Sequence, residues 1–452
     1  MRSPRSALIK WLTPGLRVKR WLILLFVGIT VLAVGVAQFI VALYRAKDFP
    51  VPLYSIMRHL PVWPRIVILG GIGIAAVVIA LYELNHSILA AVMLRRRESL
   101  IDMMVAHSRR QRGLKLVAIG GGTGLPSVLR GMKAVTGNIT AIVTVADDGG
   151  SSGKLRRELG VLPPGDLRSN IAALANDEDL ITQLFQYRFA DGGLEGHSFG
   201  NLFLTALADI TGSMDLAVVE TGRVLAIEGR VLPATLHNVT LVAEVKRPGE
   251  ASSRRVSGES QIPESGGKIE RVFLQPDQVR AYPEAVRAIL SADLVVIGPG
   301  SLFTSILPNL LVGGITEALR ASDAYKVYVC NVATQDGETS GFTVADHVAA
   351  LEAHVGRGLF DAILVNNSYP SKNAGENTHY VLPTPEGHAI YQRYRVHLAD
   401  LTDAERPWRH DPGKLAQALL DMVREATQAA PSHGNTVDGV NPAEAQFSDK
   451  PG

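Results

Sequence analysis

Five short apolar runs, each stopping at glycine or at polar residues, set the tightest limit on how this chain can fold. They are LVAIG (116–120), ITAIVTVA (139–146), ADLVVIGPG (292–300), KVYVCNV (326–332) and DAILVNN (361–367). Runs this short and apolar throughout mark strands buried on both faces, as in a parallel sheet. Stretches of helical character lie between them: SVLRGMKAV after the first run, PNLLVGGITEALRAS and TVADHVAALEAHV farther on. Strands and helices in alternation predict a Rossmann-like, doubly wound, mostly parallel α/β sheet. Ligands of such sheets meet the carboxyl ends of the strands, so function is sought in the residues just past each run.

Three regions break the alternation. Residues 223–275, with RVLPATLHNVTLVAEVKRPG and KIERVFLQP, are valine-rich and alternate between turn residues, which predicts an inserted β-rich subdomain. Residues 396–428 read as a C-terminal helical region that follows a domain over 115–395. The end of the chain, 429–452, has few apolar residues and many turn formers, and reads as a disordered tail.

The N-terminal region has a different chemistry. Residues 21–44 carry no charge, and a second apolar run begins IVILGGIGIAAVVIALY at Ile66. About 20 such residues cross a bilayer as a helix, so spans over about 21–44 and 66–90 are expected. Lys and Arg outnumber Asp and Glu 17 to 4 in residues 1–115, whereas the acids lead 39 to 28 in the remainder. Arg17, Lys19 and Arg20 precede the first span, and Arg95, Arg96 and Arg97 follow the second, opening a basic juxtamembrane segment over 95–114. The expectation is a membrane hairpin with both ends and the main domain in the cytoplasm, on the inner or cytoplasmic membrane. The acidic body shows no basic patch with interleaved aromatics, which argues against a nucleic-acid partner. Cys330 is the single cysteine, so no disulfide can form within the chain, and its apolar run reads as a buried strand.

The loops after the strands narrow the chemistry. GGGTG at 120–124 is a strand-to-helix turn whose backbone can cradle a phosphate. It is neither GxxxxGK[ST] nor GxGxxG. VADDGGSSGKLRRELG places Asp147 and Asp148 at the end of the second strand, before Gly149, Ser151, Ser152, Gly153, Lys154, Arg156 and Arg157. Paired carboxylates beside a phosphate loop suit Mg²⁺, or one binds a ribose hydroxyl, or both only cap a turn. PPGDLRSN offers Asp166 and Arg168, the latter a phosphate clamp or an ordinary surface residue. GHSFGNL puts His197 and Asn201 around Ser198 and Gly200, and is not a GxSxG nucleophile turn. IGPGSLF repeats the strand–glycine–helix junction, with free amides expected at Gly300 and Ser301. TQDGET is notable only for its place at a strand end.

In order, AIGGGTGLPSVLRG, VADDGGSSGKLRRELG, PPGDLRSN, GHSFGNL, GRVLPAT, GES, IGPGSLFTSILPNLL and TQDGET closely resemble the YvcK-like gluconeogenesis factors of the CofD-like group. The resemblance covers about 115–395. Ser169 and Ala333 stand where that family usually has Asn and Met. It implies a Rossmann-like fold and a nucleotide-sugar ligand such as UDP-N-acetylglucosamine. It also implies roles in cell-wall synthesis, cell shape and growth on gluconeogenic carbon, with cell-wall synthesis proteins as partners and a homo-oligomeric state. The nucleotide- and phosphate-binding set it implies is Gly121, Gly122, Thr123, Gly124, Gly149, Ser151, Ser152, Gly153, Arg156, Asp166, Arg168, His197, Gly200, Asn201, Gly298, Pro299, Gly300 and Ser301, with Asp147 and Asp148 as metal ligands. The CofD side of the group implies an alternative, a Mg²⁺-dependent transferase that moves a 2-phospho-L-lactyl group from an activated nucleotide to a deazaflavin hydroxyl. The resemblance does not decide between binding and catalysis.

Overall fold

The computed structural model describes residues 113–175, 180–371 and 379–429, with scattered positions between 27 and 77. The chain divides into two compact units, 1–109 and 110–452. The expected spans at 21–44 and 66–90, the 95–114 segment and the tail from 430 lie largely or wholly outside the described residues. Among the described residues no helix is long and apolar enough to cross a membrane.

The second unit is built on a seven-stranded, wholly parallel sheet. Its strands are β1 (Leu116–Gly120), β2 (Ile139–Val143), β3 (Arg230–Pro233), β7 (Leu294–Ile297), β8 (Tyr325–Val329), β9 (Ala362–Asn366) and β10 (Arg395–Ala399). They lie in the order β10-β9-β8-β7-β1-β2-β3. Every residue of β1, β2, β7 and β9 is buried. The period of two sends alternate side chains to opposite faces. Val117, Ile119, Val295 and Ile297 enter one core cluster, and Leu116, Ala118, Leu294 and Val296 enter the other. Each such Leu or Ile contributes about 1.5–3 kcal/mol by leaving water, which is why these strands are apolar but for Thr140 in β2 and Asn366 at the end of β9.

The second of these clusters is covered by α1 (Leu125–Met132), α3 (Gly165–Leu174), α5 (Phe199–Thr211) and α6 (Met214–Val224). Two further helices of this half are α2 (Gly150–Leu159) and α4 (Leu180–Gln186). The other cluster is covered by α7 (Pro283–Leu290), α8 (Ile315–Ala321) and α9 (Val344–Val355). It also packs against an antiparallel three-stranded sheet of β4 (Thr240–Lys246), β5 (Arg254–Ser257) and β6 (Lys268–Gln275), ordered β5-β4-β6.

Three boundaries differ from expectation. The inserted sheet spans 240–275 rather than 223–275: RVLP at 230–233 pairs in parallel with β2 as the edge of the main sheet. The region 396–428 is not a separate helical appendage. Residues 395–399 form the opposite edge strand, and α10 (Pro412–Ala429) sets Leu415 and Leu419 into the same core cluster as Leu125 and Leu129 of α1. PNLLVGGITEALRAS is broken as a helix at Gly314, whose φ of +100° opens α8.

Candidate functional site

The register fixes where the loops emerge. Gly120 at the end of β1 faces Val143 of β2, and Ile119 faces Ile297 of β7. From β1 the chain crosses to β2 on one side, and from β7 it crosses to β8 on the other. The loops after β1 and β7 therefore flank the topological switch point, where doubly wound sheets bind ligands. The two loops touch: a Cβ on Gly124 would sit 2.5 Å from the Pro299 carbonyl oxygen. Only glycine allows that approach.

On one side of the glycine loop the site is acidic. The Gly122 N–H donates to Asp166 Oδ2 at 3.0 Å. Asp166 opens α3, close behind Ser152 and Asp147, which both crowd Gly165. Burial, then the charge of Asp147, pushes Asp166 up to about 7. Asp147 is itself raised by burial, against the pull of hydrogen bonds from the Gly149 N–H and Ser152. Asp148 Oδ1 accepts the Ser260 N–H at 2.9 Å, which ties the inserted sheet to the end of β2. That tie brings in Glu259, whose carboxyl is pushed up to about 8 by burial and by Asp147, Asp166, Glu338 and Asp148. Glu338, of the TQDGET loop, is buried, accepts from the Phe303 N–H and the Thr304 hydroxyl, and is raised by burial.

The N-terminal turn of α2 extends this side. Ser151 Oγ lies 3.0 Å from His197 Nδ1 and accepts from Asn201 Nδ2 at 3.1 Å. Ser198, set aside as a nucleophile, caps α5 by accepting the Asn201 N–H. Gly200 packs against Arg168, whose Nη2 donates to Ser169 Oγ at 3.1 Å while its Nε is buried without a partner.

Two expected anion contacts have other partners. Arg156 points at the inserted sheet, where Nη2 donates to the Val239 carbonyl, and burial lowers its pKa. The Gly300 N–H is not free: it donates to Asn331 Oδ1 at 3.0 Å, and Asn331 Nδ2 returns a bond to the Gly300 carbonyl. Gly298, Pro299, Gly300 and Ser301 form the wall of the cleft through backbone and shape.

On the other side of the loop lies a cavity of about 590 Å³, lined among others by Thr123, Ser127, Pro299, Ser301, Trp408 and Arg409. Trp408 offers a flat apolar face and Arg409 a guanidinium that forms no ion pair among the described residues. His410 anchors the loop from beneath, its Nε2 3.2 Å from the Cys330 carbonyl, and burial holds its pKa at about 4, so it is neutral at pH 7. Sequence reasoning missed Glu259, Trp408 and Arg409 as site residues. Each arrives from a segment far along the chain; GES at 258–260, one of the motifs that carry the family resemblance, and WRH just ahead of the C-terminal helix are the hints the sequence holds.

Asp147 and Asp148 supply the carboxylates of a candidate divalent-ion site. Among the described residues no three His, Cys, Asp or Glu side chains stand close enough to hold a metal by themselves. Two carboxylates with one oxygen each engaged by backbone N–H groups leave a partial shell. That fits Mg²⁺ completed by ligand phosphates and water, and does not fit an all-protein cage.

Comparison with known proteins gives the family and agrees with the fold. The family described as 2-phospho-L-lactate transferase CofD matches residues 116–409. A Nostoc sp. relative, whose gluconeogenesis-factor name is provisional, is 47% identical over 429 residues, 91% of each chain. The Bacillus subtilis gluconeogenesis factor is 48% identical over 317 residues, 69% of this chain and 98% of its own. A crystal structure of a Bacillus halodurans protein, 46% identical, superposes with a TM-score of 0.63 over 68% of this chain and 98% of its own. The chain therefore belongs to the CofD family, as a YvcK-like gluconeogenesis factor.

Proposed function

We propose that this chain is a regulatory protein that binds a UDP-sugar, UDP-N-acetylglucosamine in the first instance, in the cleft between the β1 and β7 loops. The observation that carries the reading is the meeting of a glycine loop at the switch point with a cavity of about 590 Å³ that offers both Trp408 and Arg409. The diphosphate lies on Gly121–Gly124, Arg409 pairs with it bidentately, and an aromatic ring of the ligand stacks on Trp408. The bound state signals to cell-wall synthesis, and it supports growth on gluconeogenic carbon sources, the latter in line with the gluconeogenesis-factor names of the relatives. The unit acts in the cytoplasm, held at the membrane by the N-terminal hairpin. Supporting the hairpin, the helical positions Val31 and Val34 are 66% and 57% exposed, as lipid-facing residues of a small unit would be.

A second reading, transferase chemistry of the CofD type, is favoured by one observation: Asp147, Asp166, Glu259 and Glu338 crowd together with raised pKa values. Asp147 and Asp148 would hold Mg²⁺ against the ligand phosphates, where the ion would neutralise charge on the transferring group. Around it the chain's own residues set position, with Asp166 holding the glycine loop and Glu259 neutral at pH 7.

Calorimetric titration of the purified chain with UDP-N-acetylglucosamine and with GDP, each with Mg²⁺ and with chelator, separates the two. Preference for the UDP-sugar supports the first reading. Tight, Mg²⁺-dependent GDP binding supports the second. No binding of either overturns both.

A further inference from the structure

Next to the nucleotide cleft is a second cavity, of about 530 Å³, that shares Thr123, Ser127, Arg409 and His410 with it. Its far wall is made by Arg130 from the last turn of α1, Arg406 from the loop before α10, and Gln183 and Gln186 from α4. Arg130, Arg406 and Arg409 thus border one polar space, and among the described residues none of their guanidinium groups forms an ion pair or a hydrogen bond. Asp403 is the one carboxylate in the lining; its Oδ1 accepts the N–H groups of Glu405 and Arg406, and it pairs with none of the three guanidinium groups, so the lining keeps an excess of positive charge.

Three like charges around one cavity outnumber its single carboxylate and repel one another, and none of them is in an ion pair among the described residues. An oxyanion relieves both conditions. The guanidinium fork matches carboxylate and phosphate geometry, and the two glutamine amides add neutral donors that orient without adding charge. A space of this size takes a sugar ring together with its charged substituent. Its continuity with the cleft through Thr123 and Arg409 places that group at the distal end of whatever the glycine loop holds.

We propose that this cavity is an oxyanion subsite that takes a carboxylate or phosphate beyond the diphosphate of the nucleotide ligand. The inference rests on the UDP-sugar reading for its linked form, in which the oxyanion is part of the ligand. The same chemistry is met by a separate small anion bound beside the nucleotide.

The test is calorimetry on the full chain and on its Arg130→Gln and Arg406→Gln variants, with three probes: UDP-glucose, UDP-glucuronic acid, and inorganic phosphate added to UDP-glucose-saturated protein. Neither arginine borders the first cavity, so the UDP-glucose affinity of both variants should match wild type. The linked form requires wild type to bind UDP-glucuronic acid at least 10-fold more tightly than UDP-glucose, with the gain lost in both variants. The separate form requires saturable phosphate binding by wild type that both variants lose. If UDP-glucuronic acid gains nothing over UDP-glucose and phosphate does not bind, or if both variants bind every probe as wild type does, the proposal is overturned. If no UDP-sugar binds wild type, the UDP-sugar reading has failed on its own. Phosphate titrated into the free protein then decides the subsite: binding lost in both variants supports it, and its absence overturns it.

Discussion

The two sides of the glycine loop are built from opposite charges. Toward α3 and the inserted sheet lie Asp147, Asp166, Glu259 and Glu338; burial raises the pKa of all four, and the charge of neighbouring acids adds to it at Asp147, Asp166 and Glu259. Toward the loop before α10, Arg406 and Arg409 stand exposed, with Arg130 of α1, and among the described residues form no ion pair, the single Asp403 being outnumbered in their cavity. Moving one arginine across the loop would satisfy both sides, yet the chain keeps the charges apart. The lesson is that neither side is arranged for stability alone. A ligand that carries phosphates toward the arginines, and draws a cation or a proton toward the carboxylates, completes both.

The largest effect should come from the cationic side. Arg409→Ala should weaken UDP-N-acetylglucosamine binding about 100-fold, the upper range for a charge-assisted bidentate contact. Thermal stability should barely change, because the side chain has no protein partner to lose. Unaltered affinity by calorimetry would remove the cationic side from the site.

Next is the loop between the two sides. Gly122 has φ of +60°, and a Cβ there would lie 3.1 Å from Ser305 Oγ. Gly122→Val should cost about 2 kcal/mol of stability, from left-handed backbone strain and crowding. The folded fraction should also lose nucleotide affinity. A variant that is destabilised yet binds as wild type does would make the loop purely structural.

On the anionic side, Asp148→Asn should lower affinity about 10-fold with Mg²⁺ present and leave it unchanged in chelator, a difference of roughly one charge-assisted contact. Equal losses in both conditions would instead assign Asp148 to a ribose hydroxyl.

The carboxylates also give the chain a signed pH dependence. In the folded state Asp166 keeps its proton up to about 7 and Glu259 up to about 8. The unfolded chain releases both near pH 4, by the ordinary values for these groups. Between those limits the unfolded state binds fewer protons, so stability falls as pH rises from about 4 to about 8 and is level beyond. Glu259→Gln keeps the neutral form at every pH and should flatten part of that decline. Thermal midpoints from pH 5 to 8.5 read it directly, and a slope equal to wild type would contradict the raised value.

The smallest effect is expected at the edge of the anionic side. Ser151→Ala leaves the Asn201 amide without its acceptor and His197 without its neighbour, a loss of about 1 kcal/mol in thermal unfolding. A loss several times larger would mean that the Ser151 cluster organises the whole α2 turn.

The sheet interior was readable from the chain because it obeys one simple rule. β1 and β7 are unbroken apolar runs, and β2, β8 and β9 are apolar apart from Thr140, Lys326 and Asn366, since both faces are covered. The edges escaped that rule. β10 has no fully buried position, and RVLP in β3 is four residues with an exposed first arginine. Valine alternation there resembles an antiparallel meander as much as a parallel edge. In the candidate site, the glycine loop and Asp166 stood out in the sequence because they lie at a strand end and a helix start, and Asp147 and Asp148 because they occupy the short connection between β2 and α2. Glu259 and Arg409 did not, because the inserted sheet and the loop before α10 carry them in from 112 and 286 residues beyond Asp147 and Thr123 by folding alone. The Gly300 amide misled for a related reason: its partner, Asn331, belongs to the next strand's loop.

The central claim, that the nucleotide ligand occupies the cleft on the cationic side of the glycine loop, can be read from one side chain. Trp408 lines that cleft, and the other three tryptophans, Trp11, Trp21 and Trp63, all lie in the first unit. Tryptophan emission followed during titration with UDP-N-acetylglucosamine, in wild type and in Trp408→Phe, therefore reports on the cleft alone. The account predicts a saturable change in wild type that Trp408→Phe abolishes, although calorimetry still detects binding by that variant. Saturable calorimetric binding by wild type with no change in emission, and with affinity unaltered in Trp408→Phe, would place the ligand elsewhere and contradict it.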